Sequence, residues 1–145
     1  MNDLDPATLK DVTIFTTCTP EQLARVVQSG TVDAHGVGDT LTEEGALGHR
    51  FHLILDGTVE VERRGQVLEK LGHGDFVGEI GLLGGGPSTA TVRCISPTTC
   101  LTIWRQRFWE LLEAEPAIAL RILEVLCRRI ERDRMGSPNG NLPRD

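Results

Sequence analysis

Apolar residues follow two different periods along this chain, and the change of period marks its organisation. From Thr31 to Trp104 they come as short runs or alternations cut by glycine turns. Phe51 to Leu55 is a nearly unbroken apolar run, and Thr58 to Arg63 alternates Val59 and Val61 with Glu60 and Glu62. Period-two alternation sends one set of side chains to one face of a pleated strand. Many short strands between turns predict an all-β barrel or sandwich. Asp56-Gly57, lying between two such runs, predicts a hairpin. Arg64-Gly65-Gln66 makes a second turn into Val67 to Leu71, and Gly72 to Asp75 a third. The pair Gly38-Asp39 recurs as Gly74-Asp75, as expected if two related halves of a jelly roll each turn a corner there.

On both sides of this region the period becomes helical. Thr19-Pro20-Glu21-Gln22 carries a helix start: Thr19 caps, Pro20 suits the first position and Gln22 completes a capping box. The helix runs to about Ser29 with Leu23, Val26 and Val27 inward, and Ile14 and Phe15 dock on the same core. After Trp104, Phe108, Leu111 and Leu112 mark a second helix, which Pro116 ends or restarts. A third runs from Pro116 to about Arg134. Ala119, Leu123, Leu126 and Ile130 form its stripe, and Ile118, Ile122 and Val125 widen it beyond what one face against a barrel needs. The excess predicts a homodimer through Ile118 to Ile130. Arg128, Arg129, Arg132 and Arg134 read as a solvated face favoured by the helix dipole. Met135 to Asp145, rich in Gly, Pro and Asn, reads as a disordered tail or linker, leaving residues 1–134 as one domain.

Composition narrows the function. The chain has 145 residues, enough for one core, and a net charge of −6, which disfavours a general binder of nucleic acid or anionic membrane. No run approaches a membrane span, and the acidic N-terminus lacks the features of a signal peptide, so a cytoplasmic location is expected. Cys18, Cys94, Cys100 and Cys127 show no Cys-x-x-Cys pair and read as buried, free thiols. His49 and His52 lie three apart without a sensibly spaced third ligand, and read as solvent-facing. The metal-binding His-x-His and glutamate set of a cupin-type enzyme is missing, so neither a catalytic residue nor a metal ligand is assigned.

The chemistry concentrates in Phe76 to Cys94, FVGEIGLLGGGPSTATVRC, which holds five glycines. Gly78 and Glu79 open a short apolar turn, Ile80 to Leu83. Gly84, Gly85 and Gly86 then allow positive φ and a close backbone approach to a ligand. This stretch resembles the phosphate-binding cassette of the cyclic nucleotide-binding domain family, which runs Gly-Glu, a short apolar helix, then Pro-Arg, a small residue, Ala and Thr. Here Ser88 stands in the arginine's place. The resemblance covers about Ile14 to Asp133. It implies a mainly β fold: an eight-stranded antiparallel jelly roll with a cassette helix at Glu79 to Leu83, an N-terminal helix and two C-terminal helices.

The resemblance also implies a ligand site of Gly78, Glu79, Ile80, Ser88, Thr89 and Ala90, with cyclic AMP or cyclic GMP as the ligand and no cofactor. In the family, arginine grips the cyclic phosphate and glutamate takes the ribose 2′-hydroxyl. Arg93 sits five residues beyond Ser88 in a strand-like run, where the pleat fixes its direction and it reads as a surface residue. The expected function is a stand-alone, non-enzymatic regulatory domain with weakened or altered phosphate recognition, acting on a protein partner. The alternative is a degenerate member serving as a protein-interaction module or binding another small ligand. The helix-turn-helix of the family's transcription factors does not follow the last helix, so sequence-specific DNA binding is disfavoured.

Overall fold

The computed structural model describes residues 2–78 and 83–135, with side chains to residue 131. Eight strands form two four-stranded sheets: β1 (Thr31–His35), β2 (Thr40–Thr42), β3 (Arg50–Asp56), β4 (Val59–Arg63), β5 (Gln66–Leu71), β6 (Phe76–Val77), β7 (Thr91–Cys94) and β8 (Thr98–Trp104). The first sheet has the order β1-β8-β3-β6 and the second β2-β7-β4-β5, and every strand pairing is antiparallel. This is the expected jelly roll. The expected cassette helix lies mostly outside the described residues; Leu83 and Gly84, at its end, have helical backbone.

Strand parity divides the apolar residues between two cores. On β3, Phe51 and Leu53 join a core shared with the helices, while Ile54 joins one between the sheets with Leu41, Val59, Leu71, Val77, Val92, Cys94 and Cys100. In the first, Phe51 stacks between Phe76 and Phe108 at ring separations of 5.5 and 4.6 Å.

Asp56-Gly57 is not a hairpin. β3 and β4 belong to different sheets, so the chain turns a corner there. Gly57 has φ +104°, and a Cβ on it would sit 2.5 Å from the Pro97 carbonyl oxygen. The hairpin is at Arg64-Gly65, both with positive φ (54° and 77°), which suits a two-residue connection between Arg63 and its partner Gln66. The Gly-Asp repeat corresponds to two corners built alike. Gly36 N–H donates to Asp39 Oδ2 (2.8 Å) and Gly72 N–H to Asp75 Oδ2 (2.9 Å), and Gly38 and Gly74 have φ of +94° and +88°.

The helices close one side of the first sheet. Two 3₁₀ turns (Pro6–Leu9 and Thr13–Phe15) precede α1 (Pro20–Gln28); α2 (Arg105–Ala114) and α3 (Pro116–Met135) follow β8. The capping box at Thr19 and Gln22 is formed: Gln22 N–H donates to Thr19 Oγ1, and Thr19 N–H to Gln22 Oε1. The same Gln22 donates through Nε2 to Glu115 (2.7 Å), a buried carboxylate at the α2–α3 junction that also pairs with Arg25. α3 departs from the stripe predicted for it. Ile118 and Ile122 make the buried face, against the 3₁₀ turn at Thr13–Phe15, whereas Leu120, Leu123 and Ile130 are exposed.

Two smaller expectations are corrected. His52 is buried, not solvent-facing, because it shares β3 parity with Ile54 and so points between the sheets; its Nδ1 lies 3.3 Å from Thr102 Oγ1. All four cysteines are free, but Cys127 is exposed on α3 while Cys18, Cys94 and Cys100 are buried. Burial pushes the Cys100 thiol up to about 12.

Candidate functional site

Beyond the sealed middle of the jelly roll, the second sheet's inner face runs on as the floor of a cavity of about 420 Å³. Val61 of β4, Leu71 of β5 and Val92 of β7 supply that floor. One rim is formed by Gly78, at the end of β6, with Ser88, Thr89 and Ala90, the turn leading into β7. The opposite wall is α3, through Leu126, Arg129 and Ile130. The volume is that of a small-molecule site, and the lining is apolar with a few polar groups.

The Ser88 turn is held by its backbone. Ser88 N–H donates to the Ala46 carbonyl (2.8 Å), Gly45 N–H donates to the Ser88 carbonyl (2.9 Å), and Leu47 bridges Pro87. The amides of Thr89 and Ala90 have no acceptor among the described residues, so they are the donors the turn leaves for an anion. Gly78 has φ +95°, and a Cβ there would meet the Arg50 carbonyl oxygen at 2.4 Å. Only glycine lets β6 pass so close to β3 before the chain enters the cassette.

Of the sequence-predicted residues, Gly78, Ser88, Thr89 and Ala90 line the one cavity, while Glu79 and Ile80 lie outside the described residues. Arg93 does not join them. It lies on the opposite pleat from Val92 and pairs with Glu62 at 3.0 Å.

Three charged residues line the cavity that were not predicted to do so: Arg63, Glu69 and Arg129. Arg129 is a correction, since its cluster was expected to face solvent. It lies over the Phe76 ring (4.5 Å) and donates to the Phe76 carbonyl (2.9 Å), which fixes it against the first sheet's edge. Arg63 was legible: it continues the row Val59, Val61 on the inward side of β4. Among the described residues no group of three or more His, Cys, Asp or Glu is placed to hold a metal ion, and no described helix is long and apolar enough to cross a membrane.

Comparison with known proteins agrees with this architecture. A cAMP-dependent protein kinase regulatory subunit of Debaryomyces hansenii is 30% identical over 105 residues, 72% of this chain and 23% of that protein. A CRP-like cAMP-activated global transcriptional regulator of Mycobacterium tuberculosis is 29% identical over 100 residues, 66% of this chain and 45% of that protein. The chain thus spans less than half the length of either relative. Among solved structures, the catabolite activator protein of Thermus thermophilus superimposes with a TM-score of 0.78 at 25% identity, over 86% of this chain and 61% of that one. The sequence profile of the cyclic nucleotide-binding domain matches residues 36–115, from the first corner to the end of α2, and the chain belongs to that family.

Proposed function

We propose that this chain is a regulatory domain that takes a cyclic nucleotide, cyclic AMP or cyclic GMP, into the cavity between the second sheet and α3, with phosphate recognition altered by Ser88. The observation that carries the proposal is the meeting of Gly78, Ser88, Thr89 and Ala90 on one rim of a cavity roofed by α3. A ligand filling the cavity touches the last helix, which gives binding a mechanical output. The relatives named above, a regulatory subunit and a cAMP-activated regulator, support that reading. We assign Glu79 and Ile80 to the same site by their place in the cassette, residues 1–134 to one domain, and the function to a non-enzymatic module acting on a protein partner. Three buried free thiols suit a reducing, cytoplasmic setting.

Ser88 weakens the grip on phosphate. A hydrogen bond to a charged group contributes about 1.5–3 kcal/mol, so replacing arginine by serine lowers affinity roughly ten- to two-hundred-fold. Calorimetric titration with cyclic AMP and cyclic GMP tests the proposal. Ser88→Arg should bind cyclic AMP at least tenfold more tightly than the parent, and its melting temperature should rise at ligand concentrations that leave the parent's nearly unchanged. If neither protein responds to either nucleotide, the cavity is not a nucleotide site, and a protein-interaction role takes its place.

A further inference from the structure

We propose that Arg63, at the end of β4, is the cation that meets the anionic group of the ligand, supplying from the β4–β5 hairpin a charge that position 88 does not carry. The proposal rests on the cyclic nucleotide reading of the cavity. Three observations carry it. The first is direction: Val61 and Arg63 share a face of β4, and both line the cavity.

The second is anchorage. Arg63 Nε donates to the Thr89 carbonyl at 3.0 Å, which holds the guanidinium against the turn whose Ser88 and Thr89 line the rim. The hairpin tip is itself tied down, since Arg64 N–H donates to Glu44 Oε1 at 3.0 Å. A guanidinium has five donors. Nε uses one, and the Nη groups have no acceptor among the described residues. A tether to one carbonyl would leave this planar fork idle, whereas a phosphate accepts it in a two-pronged geometry.

The third is charge. The described cavity lining carries Arg63, Glu69 and Arg129. Arg129 is engaged with the ring and carbonyl of Phe76, and Glu69 repels an anion. Arg63 is therefore the lining cation whose Nη donors meet no acceptor among the described residues, at the same rim as the Thr89 and Ala90 amides.

The test compares parent, Arg63→Gln and Arg63→Lys in titrations with cyclic AMP and with adenosine, a neutral probe that keeps the base and ribose. Arg63→Gln should weaken cyclic AMP binding at least tenfold and change adenosine binding less than about twofold, with Arg63→Lys between parent and Arg63→Gln. Adding Ser88→Arg to Arg63→Gln should restore cyclic AMP binding. The unliganded melting temperature of each variant shows that the fold is kept; Arg63→Lys carries the comparison if Arg63→Gln does not fold. Equal affinity of parent and variants for cyclic AMP overturns the proposal, as does an equal loss for both probes, which would make Arg63 a tether. A parent that binds no cyclic AMP while Ser88→Arg does overturns Arg63 and leaves the cavity reading standing. Failure of both removes the cavity reading and this proposal with it.

Discussion

His52 occupies a position on β3 where parity calls for an apolar side chain. Its ring lies edge-on to His35, with centroids 6.3 Å apart, and the charges of Arg50 and Asp33 act on it in opposite senses. Burial, then the Arg50 cation and His35, lower its pKa to about 4. The unfolded chain, with an ordinary value near 6.5, therefore holds the proton more tightly than the native one. The stability so conferred is present in full above pH 6.5 and is lost as pH falls towards 4. It amounts to about 3 kcal/mol. Unfolding free energies from denaturant titrations should fall across this window, and His52→Gln should flatten that part of the profile; identical slopes in both proteins would show that His52 does not titrate there. The burial of His52 and the place of Arg63 at the cavity have one cause, strand parity. His49 precedes β3, so its spacing from His52 says nothing of direction; within the strand, alternation decides it. Parity pairs His52 with Ile54, and Arg63 with Val61.

At the scale of elements, local signals were legible and pairings between elements were not. The cap of α1 depends on residues three apart and formed as read. The second bond of Gln22, to a carboxylate 93 positions away, has no trace in the local pattern. Asp56-Gly57 failed as a hairpin for the same reason: a turn dipeptide states that the chain reverses, while sheet membership is settled by long-range pairing. The Gln22 contact makes a sharp prediction. Gln22→Glu keeps the acceptor for the Thr19 amide but sets a carboxylate against buried Glu115, already matched by Arg25. It should destabilise the fold by about 1–2 kcal/mol, a loss of a few degrees in melting temperature. Glu115→Gln in the same chain should recover most of that loss by removing the like charge. Recovery of none would show that the strain lies in the cap.

For the whole molecule, α3 leaves an apolar stripe uncovered. Leu120, Leu123, Cys127 and Ile130 are exposed and follow a three-four-three spacing, the seam pattern of paired helices. We expect sedimentation to show a dimer at tens of micromolar and Leu123→Glu to shift it to monomer. Thiol labelling of Cys127 should slow as protein concentration rises. A monomer throughout would mean that the stripe stays solvated. The cavity itself was half legible. The order of glycines, proline and small residues pointed to one rim, but the α3 wall came from folding the last helix across the sheet, which no local pattern encodes.

α3 presents Ile118 and Ile122 to the core, Leu126 and Arg129 to the cavity, and Leu120 and Leu123 outward. Successive residues stand about 100° apart around a helix axis, so neighbours such as Ile122 and Leu123 serve different faces. A helix that turns as a rigid rod carries every face through the same angle. Swinging Leu126 at the cavity mouth also drags Ile122 across its seat and re-aims Leu123. A rotation of α3 as a rod would thus move the cavity wall and the bearing of the outer stripe together, against the burial of Ile118 and Ile122.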